Sequence, residues 1–146
     1  MAGKRELSRL IEDHKAIKAH MKFLADSLNK LAAQPVHVKE RIWCYRQGLY
    51  DFRDAIARHI ELDERIFSEL RDRSSEEKTE REHQEIRALL EKAVQLASGA
   101  IEDEDREEEM KRDALRLQRA FERAYQMIEE HIDREDRMLP LETVRK

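Results

Sequence analysis

The amino-acid sequence predicts an all-α protein folded as an up-down-up-down antiparallel four-helix bundle. Three observations carry that reading. The chain has 146 residues, only 3 Gly and 2 Pro, and 42% charged residues against 5% aromatic, a composition of long helices with few breaks. Apolar residues recur at alternating steps of three and four, the helical period and not the strand period. The breaks fall at three places, and short connections between four periodic segments make sequential neighbours antiparallel. An all-β fold would need turn signals every 8–12 residues or so, and no Gly-rich phosphate loop of the dinucleotide-binding type is present. The length fits a single domain spanning 1–146.

The first helix is expected over residues 4–32, with Leu7, Leu10, His14, Ile17, Met21, Leu24, Leu28 and Leu31 on one seam. It ends at AQPVH, residues 33–37, which contains Pro35. The second, over 38–71, aligns Ile42, Tyr45, Leu49, Phe52, Ile56, His59, Asp63, Ile66 and Leu70. Residues 71–76 then offer Ser74 or Ser75 as a helix N-cap, and Glu77 completes a capping box with Ser74. The third, over 76–98, aligns Thr79, His83, Ile86, Leu90, Ala93 and Ala97, with Gly99 expected just past its end. The fourth, over 104–138, aligns Ala114, Leu117, Phe121, Ala124, Ile128, His131, Glu135 and Met138 before Pro140 stops it. The acidic run EDEDREEE from Glu102 to Glu109 complements the positive end of that helix and is read as solvated.

Net charge is −4, and the 29 basic and 33 acidic residues are interspersed. No basic stripe points to nucleic acid. The apolar runs are far shorter than the ~20 residues that span a membrane, and MAGKRELSRL carries no apolar core of the signal-peptide type. The single Cys44 precludes an internal disulfide and fits a reducing, cytoplasmic compartment.

Six polar residues interrupt the apolar seams: His14, His59, Asp63, His83, His131 and Glu135. Four of the six histidines sit there, where random placement over a heptad would put fewer than about two. A carboxylate in a bundle core costs several kcal/mol unless it is paired or holds a metal, and no Lys or Arg occupies a neighbouring seam position. His59 and Asp63 are four residues apart, as are His131 and Glu135. Four residues turn a helix by about 400°, so each pair lies on one face, one turn apart. HIELDERIF from His59 and HIDREDRML from His131 resemble each other, giving two similar half-sites. His14 and His83 come from the other two helices, and an antiparallel bundle brings all four histidines to one level near one end. Nitrogen with carboxylate ligands suits iron, manganese or zinc. Four imidazoles and two bridging carboxylates leave two six-coordinate ions short of ligands, which allows a shared oxo or hydroxo bridge and an open position on each.

The remaining candidates are read as packing or surface. His20 faces away from the seam and is taken as a surface residue, and His37 lies in a loop. Tyr125 is assigned to packing, although it sits near His131, and Trp43 and Cys44 to packing far from the site. Glu64 and Asp136 each lie about 140° around the helix from the histidine five residues earlier, which favours Asp63 and Glu135 as ligands.

In DHKAI around His14, HIELDE around His59, EHQEI around His83 and HIDREDRMLP around His131, the chain resembles the hemerythrin-like, HHE cation-binding family. The resemblance implies a non-haem, oxo-bridged di-iron centre in a four-helix bundle, with roles in dioxygen binding, oxygen or redox sensing, iron handling or nitric oxide response. His14, His59, His83 and His131 would be terminal iron ligands, and Asp63 and Glu135 would bridge the irons. Thr79 stands where oxygen-carrying members have a fifth histidine, which implies a more symmetric site with a further open or water-filled position. Asp63 stands where the family usually has Glu. Two other readings stay open from the residues alone: a di-iron enzyme reducing oxygen, peroxide or nitric oxide, and a helical interaction module whose site holds zinc or nothing.

Overall fold

A computed structural model describes residues 4–34, 36–67, 73–102 and 107–138. They form four helices and, among the described residues, no strand: α1 (Lys4–Ala33), α2 (Val38–Phe67), α3 (Arg73–Glu102) and α4 (Glu107–Met138). Each helix packs against the next in sequence, and α1 closes the ring against α4. Between α1 and α4 the paired contacts step in opposite directions. Lys18 of α1 meets Asp133 of α4 while Asn29, further along, accepts from the Gln118 amide.

The helices follow from their charge and apolar patterning. Glu6, Glu40 and Glu76 stand in the first turns of α1, α2 and α3, and Lys30, Arg65 and Arg137 in the last turns of α1, α2 and α4, where each favours the helix dipole. Between α1 and α2, His37 adopts a left-handed φ of 50°, and the Arg41 guanidinium donates to the carbonyls of Gln34 and Val36. Two start and stop signals are overturned. Ser74 and Ser75 lie inside α3 rather than capping it, and Gly99 is helical with no positive φ. Nothing stands within 4 Å of a Cβ placed on Gly99, so its flexibility is not used and the helix runs through it. Leu70 and Pro140 lie outside the described residues.

Among the described residues the predicted seams are buried, with three exceptions: Leu7 and Thr79 are only partly covered and Met138 is exposed. Burial also takes in Val38, Ile60, Leu62, Phe67, Val94, Ala100 and Ile132, because an apolar stripe in a globular bundle is wider than two positions in seven. Most of the core is one cluster running from Leu31, Val38 and Ile42 at one end to Ile60, Ile86 and Ile132. Phe52 and Tyr45 meet Phe121 edge-on within it. A second, smaller cluster of Leu10, Leu62, Ile66 and Phe67 caps the other end. Between the two clusters the core is polar. Trp43 and Cys44, expected to pack, are exposed, because they fall on the outward side of α2 between the buried Ile42 and Tyr45.

Candidate metal centre

All six polar seam residues converge. His14 comes from α1, His59 and Asp63 from α2, His83 from α3, and His131 and Glu135 from α4, and none is more than 6% exposed. They divide into two groups, His14–His59–Glu135 and Asp63–His83–His131, with donor atoms in each within 4.8 Å of one another. In the first, the Nε2 atoms of His14 and His59 lie 3.1 and 3.2 Å from Glu135 Oε1. In the second, the Nε2 atoms of His83 and His131 lie 2.8 and 3.1 Å from Asp63 Oδ2, and 3.3 Å from each other. Glu135 belongs to both: its second oxygen, Oε2, lies 3.4 Å from His131 Nε2.

These separations fit a metal. Nitrogen and oxygen ligands about 2.1 Å from an ion lie roughly 3.0 Å apart at right angles and about 3.4 Å apart at the tetrahedral angle. All four imidazoles present Nε2 to the centre, and the Nδ1 atoms of His59 and His83 are buried without a hydrogen-bond partner. The donor set is nitrogen and carboxylate with no thiolate, which suits iron, manganese or zinc.

Without a metal the charges hold one another. Burial pulls the His131 imidazolium down, but Asp63, Glu135 and Glu82 outweigh it and push its pKa from 6.5 up to about 11. His14 is raised likewise: burial opposes, and Glu135 with Asp136 prevails. Burial disfavours the Glu135 carboxylate, yet hydrogen bonds from His131, His14 and His59 hold it well below the usual carboxylate range.

The outward-facing nitrogens were not anticipated from the sequence. His14 Nδ1 lies 2.6 Å from Asp136, His131 Nδ1 2.5 Å from Glu82, His83 Nδ1 3.6 Å from Glu64 and His59 Nδ1 3.8 Å from Asp13. Glu64 and Asp136, weighed in the sequence as alternative ligands, therefore stand outside the imidazoles. Asp13 and Glu82 were missed, although each directly precedes a histidine, as Glu64 and Asp136 each directly follow a carboxylate. Glu82 is also paired with Arg134, and these contacts overcome burial to lower its pKa to about 2.

The bystanders separate from the site. The His20 ring is not a free surface group, since it packs edge-on against Phe52 at 5.2 Å. His37 is exposed in its loop. Tyr125 packs, partly buried, against the main core.

Comparison with protein-family models, curated proteins and solved structures gives no match. The site is thus read from its own chemistry. No helix among the described residues is long and apolar enough to cross a membrane.

Proposed function

We propose that this chain is a hemerythrin-like, non-haem di-iron protein that binds dioxygen or nitric oxide in sensing, storage or stress protection. Its four helices would run up-down-up-down. The observation that carries the reading is the double engagement of Glu135, with Oε1 facing the His14–His59 group and Oε2 facing His131. A carboxylate placed between two imidazole groups is what a pair of neighbouring ions requires and a single structural ion does not. His14, His59, His83 and His131 would hold the ions from four helices, and Asp63 and Glu135 would span them. Iron in such a pair supplies a redox-active place for a small diatomic ligand. The chain's own part is to keep six donors converged in a core closed by Leu10, Leu62, Ile66 and Phe67, which excludes bulk water. Thr79, one turn before His83 on α3, does not offer an imidazole there, so the protein would leave coordination unfilled. The lone, exposed Cys44 fits a reducing cytoplasm.

The test is to prepare the protein with iron, count the metal, and record optical spectra in air and without oxygen. About two irons per chain and a charge-transfer band that changes with oxygen or nitric oxide are expected. Less than one iron per chain, with no such band, overturns the reading.

A further inference from the structure

The four outer carboxylates have an order that the individual distances conceal. Asp13 of α1 faces His59 of α2, and Glu64 of α2 faces His83 of α3. Glu82 of α3 faces His131 of α4, and Asp136 of α4 faces His14 of α1. Each helix therefore reaches one helix onward, in one rotational sense, and the last link closes the circle. Every acid faces the Nδ1 of an imidazole whose Nε2 points to the centre, two of them at hydrogen-bond distance and two within 4 Å. The arrangement repeats between the halves of the chain. Asp13 precedes His14 as Glu82 precedes His83, and Glu64 follows Asp63 as Asp136 follows Glu135.

We propose that Asp13, Glu64, Glu82 and Asp136 form a ring of positioning residues, each aiming one imidazole of the metal centre from the neighbouring helix. The proposal rests on the metal-centre reading and assigns residues that reading does not use. An imidazole ligates a metal through Nε2 only when the proton stays on Nδ1, and a carboxylate on Nδ1 fixes that tautomer, orients the ring and raises its basicity. The ring also divides by site. Asp136 and Asp13 serve the two histidines of the group completed by Glu135, and Glu82 and Glu64 serve the two of the group completed by Asp63. Within each group one anchor is tight and one is loose. Asp136 and Glu82 stand at hydrogen-bond distance, whereas Asp13 and Glu64 stand beyond 3.5 Å. The tight pair should thus carry most of the effect, and each member should act on its own ion.

The experiment is a titration of the metal-free protein with Co2+, followed by calorimetry and visible absorption. Wild type is expected to bind two equivalents. Asp136→Ala and Glu82→Ala should each weaken one binding step by about 10- to 100-fold and leave the other within about threefold. The double variant should weaken both steps. Asp136→Asn, which keeps an oxygen that can accept from Nδ1, should recover part of the loss. Asp133→Ala, which removes the nearby surface pair with Lys18, should leave both steps intact. Unchanged affinity in both single variants overturns the ring. Equal weakening of both steps in each single variant, in proportion to lost thermal stability, also overturns it by showing a purely structural role. A wild-type protein that binds no Co2+ overturns the metal centre itself, a result distinct from the other two.

Discussion

Loading the centre should raise the melting temperature by an amount that counts the ions. The structure presents two groups of three donors, assembled from four helices, and unfolding disperses both. An ion that binds only the native state at one hundred times its Kd stabilises it by about 2.7 kcal/mol, and two independent ions by roughly twice that. A chain of 146 residues melts with an entropy of about 2.1 cal/mol/K per residue, or roughly 0.3 kcal/mol/K in total. One ion should therefore raise Tm by about 9 °C and two by about 18 °C. The slope is a stricter test than the shift. Each tenfold rise in free metal above Kd adds about 1.4 kcal/mol per site, hence about 4–5 °C for one ion and about 9 °C for two. The assay is far-ultraviolet circular dichroism melting of chelator-stripped protein in buffers of fixed free Fe2+ under nitrogen, with Zn2+ as a redox-inert comparison. A Tm that stays constant from micromolar to millimolar metal would refute the argument that these carboxylates and imidazoles are metal donors. A slope of one ion would refute the bridging role given to Glu135.

Other perturbations have equally definite outcomes. In the metal-free protein His131 is raised from 6.5 to about 11 and Glu82 lowered from 4.5 to about 2. The His131 contribution is complete below pH 6.5 and fades as pH rises towards 11, while that of Glu82 is complete above 4.5 and fades towards 2. Urea midpoints across pH should therefore plateau between about 4.5 and 6.5, whereas metal affinity should rise with pH because ligand imidazoles must be neutral. Phe52 is fully buried between His20 and Phe121, and Phe52→Ala should cost about 3–5 kcal/mol in a urea titration. Gly99→Ala, with open space at its Cβ, should gain about 0.5–1 kcal/mol. Gly48→Ala should gain less in the same assay, since its Cβ would stand 2.9 Å from a Leu24 methyl that must shift aside.

The seam histidines and carboxylates were legible because helical periodicity is a strict rule. Well inside a helix, a residue in register with Leu24, Phe52 or Ile128 is carried into the core whatever its polarity, whereas the seam positions nearer helix ends, Leu7, Thr79 and Met138, are partly covered or exposed. Positions where helices continue or stop were less legible. Gly99 carries the local signal of a helix end, but the packing of Ala97 and Ala100 against the core favours carrying the helix through. Trp43 and Cys44, assigned to packing because they lie far from the site, are exposed, since their place between Ile42 and Tyr45 puts them on the outward side of α2.

The sequence by itself determined the four helices, their buried faces and the six residues that would meet, because each of these depends on spacing along one helix. Only the tertiary structure decided how those six divide into two groups, that Glu135 serves both, and that an acid from the preceding helix stands behind each imidazole. Those are relations between helices, set by the rotation and axial offset at which side chains interlock. Periodicity within one helix carries no measure of either. Asp13 and Glu82 are the clearest case: on their own helices they are ordinary charged residues, and only the neighbouring helix makes them partners of His59 and His131.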